Sequence, residues 1–115
     1  MVVDLIVFAA HPDDAELAAG GLIAVSVARG HRVAVVDFTR GELGSRGTPQ
    51  TRAEESAAAD AVLGVAVREN LGLPDGGLTD SLEARRLVVD AIRRHRPTLI
   101  AGISPAATTG KGMGK

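Results

Sequence analysis

Val2-Val3-Asp4-Leu5-Ile6-Val7-Phe8-Ala9-Ala10-His11-Pro12-Asp13-Asp14-Ala15-Glu16 is an apolar run that stops at a proline and a knot of acids. The β-branched residues of Val2 to Ala9, closed off by Pro12 and Asp13, predict a buried strand, and the alanine-rich pattern after it predicts a helix. The His11 loop then lies at the carboxyl end of that strand, where open α/β sheets place their chemistry. Pro12 stiffens the loop, and Asp13 or Asp14 can cap the helix.

The rest of the chain repeats this alternation. The first helix is expected from Asp14 to Arg29, with Leu17, Leu22, Val25 and Ala28 facing inward, Gly20-Gly21 approaching the sheet closely, and Gly30 ending it. A second strand is expected at His31 to Phe38. A helix beginning near Thr48-Pro49 or Thr51 should run to Leu63, because Pro49 fits a first helical position and Thr51-x-x-Glu54 fits a capping box. A third strand is expected at Val65 to Leu71, before the turn-rich stretch Gly72 to Gly77. The stripe Ala84, Leu87, Val88, Ala91, Ile92 predicts a helix from Ser81 to His95, which Asp80-x-x-Glu83 can cap. Thr98 to Ile103 should be the fourth strand. The βαβαβαβ order predicts a Rossmann-like three-layer α/β sandwich on a parallel sheet, truncated after its fourth strand.

Composition narrows the function. The 115 residues suit one small domain, and 45% hydrophobic content allows a real core. A net charge of −1 and only 2% aromatic residues argue against nucleic acid as a partner. With no cysteine, any metal must be held by histidine and carboxylates. The apolar N-terminus carries Asp4 and lacks a basic leader, so no signal peptide or membrane span is expected, and a cytoplasmic location is. Eleven arginines lie between Arg29 and Arg96, whereas both lysines, Lys111 and Lys115, lie in the Gly-rich tail 104–115.

Parallel strands gather His11, Asp13, Asp14, Arg40, Glu42 and Asp75 at one sheet edge. His11 and Asp14 suit a zinc ion that keeps one position for water, with Asp13 free to take that water's proton. The alternative is a helix N-terminus with two acidic caps and a solvated histidine. His31 and His95 should lie at the opposite edge, on the order of 20 Å away, as exposed residues outside any site with His11. Arg40 and Glu42 can meet a polar substrate or pair with each other, Arg52 can clamp a substrate or be a plain helical arginine, and Asp75 can be a turn-former. Gly110-Lys111 fails as a phosphate loop because Pro105 stands at its first glycine. No G-x-G-x-x-G or G-x-S-x-G motif is present.

Ala10-His11-Pro12-Asp13-Asp14-x-Glu16, the pair Gly20-Gly21, Thr39-Arg40-Gly41-Glu42-Leu43-Gly44, Arg52-x-x-Glu55 and Asn70-Leu71-Gly72-Leu73-Pro74-Asp75-Gly76 occur in that order. Together they resemble the PIG-L/LmbE-like zinc-dependent N-acetylglucosaminyl deacetylases, over about residues 3 to 103, and most resemble the bacillithiol-pathway branch, which deacetylates N-acetylglucosaminyl malate. The resemblance implies Zn2+ held by His11 and Asp14, Asp13 as general base, and Arg52, Glu42 and Asp75 as substrate contacts. The implied substrate is a small N-acetylated amino-sugar conjugate.

The same resemblance implies an H-x-x-H element after the fourth strand, which would supply a third zinc ligand. The sequence has Ser104 to Lys115 there, with no histidine after His95. Residues 1–103 are therefore expected to be the N-terminal part of a deacetylase α/β domain, with 104–115 an atypical tail, from truncation or a frameshift. In this form the enzyme is expected to be impaired, and a non-catalytic fragment or degenerate relative is the alternative reading. A magnesium-dependent receiver-like module, using the paired acids at the strand-one edge for phosphotransfer, is a third. Strand four or strand one should be partly uncovered, giving marginal stability or self-association as a homo-oligomer.

Overall fold

Apolar runs become strands and the patterned stretches between them become helices. The computed structural model describes residues 2–11, 14–40, 48–74 and 81–102. Along these run β1 (Leu5–Ala9), α1 (Asp14–Ala28), β2 (Val33–Thr39), α2 (Pro49–Leu63), β3 (Val67–Leu73), α3 (Leu82–His95) and β4 (Leu99–Gly102). The strands form one parallel sheet in the order β3-β2-β1-β4. β1 is hydrogen-bonded on both sides, which is why all five of its residues are buried. The chain steps outward from β1 to β3 and then returns to β1's other side. That reversal falls at the carboxyl ends of β1 and β4, where α/β sheets open a crevice for ligands.

Side chains alternate between two cores, giving three layers. Leu5, Val7, Ala9, Val33 and Val35 pack against Ala15, Ala19 and Ile23 of α1, with Leu63 of α2 at the margin. Ile6, Phe8, Ala34 and Val36 pack against Ala91, Val88 and Ile92 of α3 on the other face. The α3 stripe is therefore the inward face expected from its spacing. β4 is the uncovered strand of the two considered: Leu99 and Ile100 are 58% and 48% exposed. No helix among the described residues is long and apolar enough to cross a membrane.

Helix α1 departs from its expected face. Leu22 and Val25 are exposed, as is Ala28, while Ala15, Ala19, Ile23 and Ser26 point inward; the side chain of Leu17 lies outside the described part. The helix also breaks at Ala19, whose φ of −131° and ψ of 15° are not helical. The adjoining Gly20-Gly21 supplies the backbone freedom for that kink, while the inward residues keep steps of four, four and three across it, a single helical face of small residues and Ile23 that leaves Leu22 and Val25 outward. Neither glycine approaches the sheet closely: a Cβ added to either would have nothing within 4 Å.

Other boundaries shift for local reasons. β2 begins at Val33 rather than His31, since the Arg32 amide donates to the Asp4 carboxylate at 2.8 Å. β3 runs on through Leu73, because a register shift against Asp37 and Thr39, with Gly72 at φ 71°, absorbs what the sequence suggests is a turn. The capping box of α2 is Thr48 with Thr51, not Thr51 with Glu54, and Pro49 takes the first turn. Ser81 caps α3 by accepting the Ala84 amide; Asp80 lies outside the described residues.

Gly64 ends α2 at φ 81°, and a Cβ there would stand 2.7 Å from Val27 Cγ1. Gly64→Ala is expected to cost about 2–3 kcal/mol, adding a steric clash to the left-handed backbone penalty. Gly30→Ala, at φ 86° in open space, should cost about 1 kcal/mol. Urea denaturation of both variants checks the order.

Candidate functional site

At the carboxyl end of β1 the chain turns through His11 into α1. His11 Nδ1 lies 3.4 Å from Asp14 Oδ2, and both side chains are between a third and a half exposed. The turn is held by two backbone contacts: the His11 amide donates to Asp14 Oδ2 at 3.2 Å, and the Asp14 amide donates to the His11 carbonyl at 3.1 Å. Behind it, the Ala10 carbonyl accepts both the Thr39 amide and the buried Thr39 hydroxyl, each at 3.0 Å. Asn70 Nδ2 then donates to the Thr39 carbonyl at 2.7 Å. A chain of hydrogen bonds thus ties the ends of β1, β2 and β3 together directly beneath the His11 turn.

Beside this edge, on the α1/α2 face, sits a buried charged cluster. Arg68 of β3 donates from Nε to Asp37 Oδ2 at 2.8 Å, and from Nη1 to Glu16 Oε2 at 3.0 Å and Asp60 Oδ1 at 2.7 Å. One guanidinium thereby joins β2, α1 and α2 to β3. Asp37 Oδ1 and Glu16 Oε1 are buried without a hydrogen-bonding partner among the described residues. Burial pushes the Asp37 carboxyl up from 3.8 to about 6, against the pull of Arg68, and raises Asp60 in the same direction for the same reason. Arg68 is driven further into its charged form by hydrogen bonds to Glu16 and Asp37, which outweigh its burial. A cleft of about 320 Å³ opens alongside, lined by Asp37, Arg40, Ser56, Asp60, Arg68 and Asn70 among others.

Residues 6–111 match the PIG-L family, described as GlcNAc-PI de-N-acetylase. The chain belongs to the PIG-L family. Similar solved structures include a conserved protein of Thermus thermophilus, 48% identical, with a TM-score of 0.82 over 86% of this chain and 45% of that one. Another is the N,N'-diacetylchitobiose deacetylase of Pyrococcus horikoshii, 25% identical, with a TM-score of 0.78 over 84% of this chain and 39% of the other. A third is the 4-carboxy-2-hydroxymuconate hydratase of Pseudomonas putida, 28% identical, with a TM-score of 0.71 over 87% and 46%. This PIG-L chain therefore spans less than half the length of each.

Within the PIG-L chain, the structure brings His11 and Asp14 together and sets Arg40 on the cleft. Arg52 lies in the first turn of α2, its side chain outside the described part. Asp13, Glu42 and Asp75 lie outside the described residues. His31 is half-exposed, with Nδ1 3.7 Å from Asp4. His95, expected at the surface, is instead buried on the α3 face, where Nε2 sits 2.8 Å from Glu69 Oε1. Glu69 also pairs with Arg94, so a β3 carboxylate draws the end of α3 inward.

The donor set can be tested against a divalent ion. Two ligands of one tetrahedral zinc, at about 2.0–2.2 Å each, stand about 3.3–3.6 Å apart; His11 Nδ1 and Asp14 Oδ2 stand 3.4 Å apart. One imidazole and one carboxylate also suit zinc chemically. The two residues fit as part of such a site. No group of three or more histidine or carboxylate ligands occurs among the described residues.

Sequence reading missed Asp37, Asp60 and Arg68, and assigned no role to Thr39 and Asn70, which open two of the motifs. The available signal was Asp37, a carboxylate inside an apolar strand that demands a buried partner. Its titration gives a prediction. The folded chain holds the Asp37 proton to a higher pH than the unfolded chain, so that stabilisation is complete below about 3.8 and is lost as pH rises through about 6. Between those values stability should fall by up to about 1.4 kcal/mol per pH unit for this one group. Asp37→Asn should flatten that part of the curve, as read from urea midpoints between pH 4 and 7.

Proposed function

We propose that this chain carries the catalytic end of a zinc-dependent hydrolase that removes the acetyl group from an N-acetylglucosaminyl conjugate. The observation that carries this reading is the convergence of His11 Nδ1 and Asp14 Oδ2 to 3.4 Å at the switch point of a PIG-L-family sheet. The deacetylase activity of the Pyrococcus neighbour supports it. His11 and Asp14 would hold the ion, which when bound supplies Lewis-acid polarisation of the acetamide carbonyl and a more acidic water. Asp13 acts as general base, taking the proton of the attacking water and returning it to the departing amine. Arg52, Glu42 and Asp75 contact the sugar or its aglycone. Thr39 and Asn70 hold the strand end from which His11 projects.

A hydratase is the second reading, favoured by the 28% identical Pseudomonas structure. Both reactions deliver water to an electrophilic carbon. Incubating the zinc-supplemented protein with N-acetylglucosaminyl malate, and separately with N,N'-diacetylchitobiose, distinguishes them. Acetate release from either compound is the expected result. Absence of acetate from both, together with turnover of an unsaturated carboxylic acid, would favour the hydratase.

A further inference from the structure

We infer that Arg68 is a positioning residue for the turn that carries Asp14. Helix α1 is not one rod: the break at Ala19, next to Gly20-Gly21, separates the segment 14–18 from the longer piece anchored by Ile23 and Ser26. Packing of the longer piece therefore does not by itself fix the shorter one. Among the described side chains of the short segment, two are tied into the fold. Ala15 is fully buried, and Glu16 reaches Arg68 Nη1 at 3.0 Å.

Arg68 in turn is held from two other directions, by Asp37 of β2 at 2.8 Å and Asp60 of α2 at 2.7 Å. A guanidinium is a planar, rigid fork, so fixing it on two sides dictates where a third carboxylate must lie. The Arg68 side chain is only 16% exposed and Asp37 only 3%, so water does not readily replace these bonds. Glu16 takes its place from Arg68, and Asp14, two residues earlier in the same turn, takes its place from Glu16. The inference rests on the reading that His11 and Asp14 hold a divalent ion, whose supporting partners characteristically set its affinity.

The test compares four variants of the chain: Glu16→Gln, Asp60→Asn, Arg68→Lys, and Ile23→Val as a control on the far side of the break. Amide hydrogen exchange is read first without metal, at Ala18 and Ala19, then zinc affinity by calorimetry. Glu16→Gln is expected to speed exchange at these amides about tenfold, the difference between a charged and a neutral acceptor. Asp60→Asn leaves Glu16 untouched but takes an anchor from Arg68, and is expected to loosen the same amides; Ile23→Val is not. Zinc affinity should fall about tenfold in Glu16→Gln, with Arg68→Lys between it and the parent chain. Exchange at Ala18 and Ala19 that is unchanged in Glu16→Gln, or altered no more than in Ile23→Val, would overturn the inference. If the parent chain binds no zinc, the metal reading fails alone, since the exchange data decide the role of Arg68 without it.

Discussion

Arg68→Met is expected to cost about 3–5 kcal/mol of folding stability, measured by urea denaturation at pH 7. The methionine keeps much of the bulk but leaves Glu16, Asp37 and Asp60 facing one another around an empty centre. Two of these three carboxyls are already raised by burial while Arg68 is present. Without the guanidinium, nothing in the cluster offsets their repulsion and desolvation, and they will bind protons to keep the fold. The loss should therefore shrink as pH is lowered toward 5, because the variant takes up protons at higher pH than the parent. A stability near 5 kcal/mol, common for a domain of this size, would be almost consumed at neutral pH. A loss under about 1 kcal/mol would mean that the cluster is already satisfied by solvent.

Asp13→Asn is expected to lower acetate release by the zinc-loaded protein about 10²- to 10⁴-fold, the usual contribution of a positioned general base. The amide keeps the size of the carboxylate but cannot accept the proton. Zinc affinity should change little, because the proposed ligands are His11 and Asp14. Parallel measurement of kcat and of zinc binding separates this from a ligand role, which would lower both. Asp14→Asn is the companion experiment, expected to weaken zinc binding first and activity as its consequence.

What the sequence made legible was local. The strand at Leu5–Ala9, the loop at its carboxyl end and the inward stripe of α3 could each be read because the deciding residues are neighbours in the chain or recur at a fixed period. His11 and Asp14 were nameable as a pair because they are three residues apart. The supports of the site were not. Glu16 and Asp37 meet Arg68 across 52 and 31 residues of sequence, and no periodicity registers a contact of that range. The inward face of α1 is not legible because it is built from Ala15, Ala19, Ile23 and Ser26, whereas the larger Leu22 and Val25, which hydrophobicity alone favours, stay exposed. His95 was placed at the surface as a helix-end residue, and its burial depends on Glu69, supplied by a different element.

The central claim is that His11 and Asp14 grip a divalent ion at the tip of β1, and calorimetric zinc titration of the chain beside its His11→Ala variant tests it most directly. One zinc bound per chain, with affinity at least tenfold weaker in the variant, is the predicted result. Equal affinity in the two proteins would contradict the claim, because the ion would then be held elsewhere.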